Sequence, residues 1–268
     1  MWTSRLSNPT LSRHAMDCAE KAVGHWREFP LSSPRPIVLL DSAVASREGF
    51  ATVDASDALR YGIVEADPSV PEEPLLTIRG FATEMSERRK ALPPLIVRRA
   101  ILKNIPFATD RGIETLPAWE LDAVDARGPF WVLATETLER CWSPPPAHEG
   151  ELCGLAILHS ATAGDTDNEL SVEFVGSPSH LVRYEAAVFE SQSSVTVVPI
   201  ERWDVDLPAG VAILAVGMMR SIVVSLASDL GPRVFVGLNG LPLPVTGLGE
   251  SPAPAEDLLS RPSDTNSD

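Results

Sequence analysis

Apolar residues in this chain follow two rhythms, helical in the first third and alternating from Leu95 onward. Between Ala15 and Trp26 they fall at Met16, Ala19, Val23 and Trp26, so one side of a helix is apolar and a helix is expected. Prolines 34 and 36 stop it, and the apolar run Ile37-Val38-Leu39-Leu40 reads as a short buried strand. Asp54 to Tyr61 and Pro71 to Ile78 are short helix candidates. The second carries proline in its first turn, where a missing N–H is harmless. Thr83 to Ala91 is a third candidate, ended by Pro93-Pro94.

From Leu95 to Phe107 the pattern fits helix and strand alike; Pro106 and the turn Thr109-Asp-Arg-Gly112 favour strand. Trp119 to Ala123 alternates, residues 126–129 turn, and Phe130 to Ala134 returns, which predicts a hairpin. A proline-rich break, Ser143 to Gly150, marks an internal boundary. Beyond it lie Leu152 to Thr162, Leu170 to Val175, Tyr184 to Phe189, Ser194 to Val198, Val211 to Val216, Ser221 to Leu226 and Val234 to Val236. Turn residues separate them at the spacing of sandwiches and barrels. The expected fold is α+β, with N-terminal helices plus a hairpin and a C-terminal antiparallel β-sandwich or barrel-like sheet. The expected organisation is a flexible arm (1–14), a mixed portion (15–142), a β portion (151–247) and a disordered acidic tail (248–268) with little to bury.

Composition sharpens this picture at three points. The net charge of −15 disfavours nucleic acid as a partner, because phosphate contacts need a surplus of Lys and Arg. The segment from Glu84 to Arg111 runs against that balance, with seven basic and three acidic residues. Its Arg88, Arg89, Lys90, Arg98, Arg99 and Lys103 form a candidate patch for an anionic partner; the competing reading is a basic strand lying beside acidic ones. Third, the apolar stretch 207–228 carries Arg220 near its middle, which argues for core strands over a transmembrane span. No signal peptide is visible at the N-terminus, so a cytoplasmic location is expected, or export if the true start lies upstream.

Five stretches form a set: Arg35-Pro-Ile-Val-Leu-Leu40, Thr109-Asp-Arg-Gly112 followed by Leu116 to Trp119, Gly128 to Ala134, Leu230 to Val236 and Leu241 to Val245. Together, over residues 34–246, the chain resembles uncharacterised bacterial proteins, often secreted or lipid-anchored, with a β-rich C-terminal half. That resemblance implies a β-rich C-terminal half and no catalytic residue.

Candidate chemistry is sparse. Cys141, His148, Cys153 and His159 lack the close pairs that a zinc site uses, and Cys153 and His159 would stand about 20 Å apart on an extended strand. A Cys141–Cys153 disulfide and free thiols are both open readings. Asp165, Asp167 and Glu169 cluster carboxylates as a hard cation requires, but Leu170 stands where a calcium loop needs glycine, so a solvated turn competes. Ser179 and His180 place a nucleophile type beside a base type, yet adjacent side chains on extended backbone point apart. Trp119 and Trp131 are expected in the core. No cofactor motif is present. The leading expectation is a soluble non-enzymatic binding or structural module, with a protein partner open. The alternative is a small hydrolase assembled from dispersed His, Ser, Asp and Glu residues.

Overall fold

The computed structural model describes residues 11–40, 42–82, 92–142, 155–180, 182–203 and 217–248. The chain runs through α1 (Arg13–His25), β1 (Val44–Ser46), α2 (Val53–Arg60), β2 (Val64–Ala66) and α3 (Glu72–Gly80). It continues through the long pair β3 (Leu95–Thr109) and β4 (Gly112–Ala123), then β5 (Phe130–Leu133) and α4 (Thr135–Leu138). A second series holds β6 (Ile157–Ala163), β7 (Glu169–Gly176), β8 (Val182–Glu190), β9 (Ser194–Trp203), β10 (Met218–Ser225), β11 (Val234–Phe235) and β12 (Val245–Thr246).

The protein is β-rich, and its sheets are mixed and curled. One sheet has the strand order β1-β5-β4-β3-β2, a second β10-β7-β6-β12 and a third β11-β9-β8. The expectation of a purely antiparallel C-terminal sheet is corrected at its edges. β12 lies parallel to β6, and β11 lies parallel to β9. Both strands are only two residues long and arrive by long connections, so no hairpin forces them antiparallel.

β3 carries a bulge between Val97 and Arg99. One extra residue there puts Val97 and Ala100 on the same face, with Leu121, Phe130 and Val132 beside them. α2 and α3 cover that face through Ala55, Ala58, Leu75 and Ile78. Further along, the opposite face is the buried one, where Ile105, Phe107, Leu116, Ala118 and Leu133 pack together. The middle of β3 therefore spans two cores that lie on opposite sides of one sheet.

The second and third sheets share a core of Leu170, Val172, Phe174, Val195, Val197 and Phe235. α1 packs on β9, where Ala15 and Ala19 meet Val198. Ser12 starts this helix by accepting the Ala15 N–H at 3.1 Å, which satisfies one of its orphan donors. At its other end the hydroxyls of Ser194 and Ser193 donate to the carbonyls of Val23 (3.0 Å) and Trp26 (2.6 Å). Trp26 is fully buried, donates its indole N–H to the Gly240 carbonyl at 2.8 Å, and packs against Trp142 with ring centroids 4.8 Å apart and the planes tilted by 41°.

Several expectations are corrected. Ile37 to Leu40 forms no strand; it is extended chain with isolated pairings, Ile37 to Cys141 and Leu39 to Thr109. Trp119 and Trp131 are half-buried and pack against two cores, and among the described residues the fully buried tryptophan is Trp26. Residues 1–10, 83–91, 204–216 and 249–268 lie outside the described residues, so the expected arm, the third helix candidate, the strand at 211–216 and the acidic tail fall there almost entirely. Within 207–228, the part that is described forms β10, and no helix among the described residues is long and apolar enough to cross a membrane.

Trp26→Ala is expected to cost about 3–5 kcal/mol in urea unfolding, since it empties a fully buried site. Trp26→Phe keeps most of the packing and leaves the Gly240 carbonyl without its donor. Its expected cost is about 1–3 kcal/mol. Equal losses for the two variants would show that the hydrogen bond carries the whole effect.

Candidate functional site

β3 is paired on one side by β4 along most of its length, but on the other side β2 covers only Leu95 to Val97. Pairing on that side resumes at Ala108 and Thr109, through the Leu40 N–H and Leu39. Residues 98–107 therefore present an open strand edge among the described residues. Two apolar side chains sit on it, Ile101 at 36% exposure and Leu102 at 53%, one on each face. Sheet edges are usually blunted by charge, proline or a bulge, because free N–H and C=O groups invite another strand. Here the bulge lies at one end and Pro106 at the other, and the stretch between them carries the exposed pair.

Three of the six candidate patch residues lie on this stretch. Arg98 is exposed at the bulge. Arg99 reaches Asp122 at 2.7 Å, and Lys103 reaches Glu120 at 2.7 Å, both across to β4. Such exposed pairs contribute roughly 0.2–1 kcal/mol each. Arg88, Arg89 and Lys90 lie outside the described residues.

At the far end of the β3–β4 pair the turn is made by Asp110 and Arg111, with Gly112 at a φ of 104° that suits only glycine. Asp110 is 1% exposed. Its carboxylate accepts two hydrogen bonds from Arg35 and lies 3.7 Å from Arg111. Arg111 donates to the carbonyls of Gly231 (2.8 Å) and Arg233 (2.6 Å), and Arg35 donates to that of Pro232 (2.8 Å). Arg233, itself buried, holds Ser228 and Asp229 by their carbonyls and pairs with Glu190 at 2.5 Å. Burial pushes the Arg111 guanidinium down to about 10, with Arg35 adding to the fall and Asp110 and Glu114 opposing it. It stays protonated at neutral pH. Arg35 and Arg111 thus bind residues 231–233 to the hairpin tip, and Arg233 braces the same loop from within and ties it to Glu190. Nothing local in the chain marks this cluster as a charge network, since Arg35, Asp110, Arg111 and Arg233 lie in separate short stretches far apart in the sequence.

The other candidates are dispersed. His180 is exposed, and the Ser179 N–H donates to the Ser177 hydroxyl at 3.3 Å. Arg220 holds that loop by the carbonyls of Ser177 and Ser179, at 2.9 and 3.1 Å. His159 is exposed at a bulge in β6. Asp165 and Asp167 are exposed on the β6–β7 turn, and Glu169 opens β7. That turn is closed by its own backbone, Gly164 N–H to the Glu169 carbonyl at 2.8 Å. Among the described residues no three His, Cys, Asp or Glu side chains are grouped so as to hold a metal ion. Cys141 is a free thiol that donates to the Thr137 carbonyl, and burial pushes it up to about 11. Cys153 and His148 lie outside the described residues.

Comparison with protein-family models, curated proteins and solved structures finds no match to this chain.

Two predictions follow from the geometry. Asp110→Asn takes the buried carboxylate from Arg35 and leaves Arg111 only the charge of Glu114, and is expected to cost about 3–5 kcal/mol in denaturant unfolding; a loss under 1 kcal/mol would mean the arginines re-pair elsewhere. Cys141 is expected to alkylate slowly at neutral pH. Its rate should rise about tenfold per pH unit towards pH 11, because only the thiolate reacts. Rapid labelling at pH 7 in the folded protein would contradict the burial.

Proposed function

We propose that this chain is a non-enzymatic binding module whose docking element is the open middle of β3, residues 98–104. The observation that supports the reading is the exposed pair Ile101 and Leu102 on an edge without a strand partner among the described residues. Backbone groups on such an edge are held extended and repeat at fixed spacing, so they offer a docking surface before any partner arrives. The exposed apolar pair gives that surface something to bury, and the flanking basic residues give it a sign.

The test is affinity capture from the native host with the full chain, with Leu102→Asp and Ile101→Asp as paired controls. Leu102 is half exposed, so Leu102→Asp should unfold within about 1 kcal/mol of the parent, whereas Ile101 is about one third exposed and faces Glu120, so Ile101→Asp should lose more and is compared at a concentration where it is folded. Proteins held by the parent and lost by both variants are the expected result. A captured set unchanged by either substitution overturns the assignment to β3. Hydrolysis of a simple chromogenic ester that disappears in His180→Ala would instead place the activity at the 177–180 loop.

A further inference from the structure

The occupant of this edge can be specified by its chemistry. This inference rests on the reading of β3 as the docking element. The β3–β4 register puts Arg99, Ile101 and Lys103 on one face, and Ala100 and Leu102 on the other. On the β4 side the two cations already meet Asp122 and Glu120. Each has donors left over: five N–H groups on Arg99 and three on Lys103 exceed what one carboxylate takes. Arg98 adds a further exposed charge at the bulge. A strand added on the open side would place its own side chains next to Arg99, Ile101 and Lys103, at cross-strand distances of about 4.5–5.5 Å. Carboxylates opposite Arg99 and Lys103 would complete two acid–base–acid ladders across three strands.

We propose that β3 binds an extended segment of a partner protein by strand addition, and that this segment carries two acidic residues four positions apart with apolar residues between them. Acidic residues face Arg99 and Lys103. The central apolar residue covers Ile101, and its two neighbours cover Ala100 and Leu102 on the other face. The pattern reads the same in both chain directions, so it holds for parallel and antiparallel addition.

A second copy of this chain fits the edge poorly. Two-fold pairing of β3 with itself, centred on Ile101, would set Arg99 opposite Lys103 twice, and like charges directly opposed are destabilising. β10 also exposes apolar side chains, Met218, Met219 and Val223. Its one cation, Arg220, already donates to two loop carbonyls, so no charge on that strand selects an occupant.

The probe is the labelled peptide Thr-Glu-Val-Ile-Val-Glu-Thr, with Thr-Lys-Val-Ile-Val-Lys-Thr as its charge-reversed control, titrated against the full chain by fluorescence anisotropy. A third peptide is the acidic one with N-methyl groups on two consecutive apolar residues. One of these faces the edge whichever way the strand is turned. The acidic peptide is expected to bind about tenfold tighter than the basic one, and N-methylation should abolish binding. A protein variant that exchanges both ion pairs, Arg99→Asp with Asp122→Arg and Lys103→Glu with Glu120→Lys, keeps the cross-strand pairs and reverses the edge. It should prefer the basic peptide. Equal binding of the two charge patterns, or undiminished binding of the N-methylated peptide, overturns the proposal; the latter needs no protein variant at all. So does a dimer of the parent chain that Leu102→Asp dissolves in sedimentation, since the occupant would then be a second copy. If the peptides fail while Leu102→Asp still loses captured proteins, β3 remains the docking element and only the acidic strand is wrong.

Discussion

Asp110 sits where three stretches far apart in sequence meet, and a carboxylate buried to that degree has to be compensated or protonated. Arg35 and Arg111 compensate it. Its backbone is committed as well: the N–H donates to the Val38 carbonyl at 3.0 Å, and the carbonyl accepts the Val245 N–H at 2.9 Å. One residue therefore ties the segment after α1, the tip of the β3–β4 hairpin and the last short strand to a single point. A buried ion pair is weak evidence for net stability, because desolvation offsets much of its attraction. What this one supplies is position. With Asp110 misplaced, Arg111 could not reach the carbonyls of Gly231 and Arg233, and the 228–233 loop would lose its attachment to the hairpin.

That fixed tip bears on the open edge. β3 is held at its start by β2 and by the core under α2 and α3, and at its end by Asp110 and the core around Ile105 and Phe107. The stretch between has β4 on one side and, among the described residues, no strand on the other, and both of its ends are anchored. A strand that is already ordered loses little conformational entropy when a partner pairs with it, which is the cost that most weakens strand addition by flexible segments. The buried carboxylate and the exposed edge are thus parts of one arrangement: the first keeps straight what the second offers.

How much of this was legible depended on range. β7 alternates cleanly, and its period-two pattern appears in the structure as buried and exposed faces, whereas β4 switches its buried face between Ala118 and Leu121. β3 read as strand or helix alike, and the bulge explains why. One inserted residue makes Val97 and Ala100 share a face, and a separation of three is the helical signature. The parallel pairings of β11 and β12 left no local trace, since two-residue strands are defined wholly by what they meet. The helical spacing puts Trp26 on an apolar face, but its full burial is not legible there, because the hydrogen bond that it makes goes to Gly240, more than two hundred residues away. The arginine cluster was hidden for the same reason. Arg35, Asp110, Arg111 and Arg233 each sit in an ordinary turn motif, and only the fold brings them together.

The basic residues of β3 have two physical consequences that pull in one direction. Charges on an exposed edge discourage pairing between identical chains, which is the general means by which sheet proteins avoid edge-to-edge aggregation. The same charges, held in register by Asp122 and Glu120 on the neighbouring strand, make an incoming strand of opposite sign the one that pairs well. An apolar edge alone would accept almost any extended segment, its own copy included. An edge with Ile101 and Leu102 between Arg99 and Lys103 discriminates, because burying the apolar pair requires placing something against the two cations. In a chain whose net charge is −15, that local reversal of sign is the feature of β3 that separates a selective surface from an aggregation-prone one.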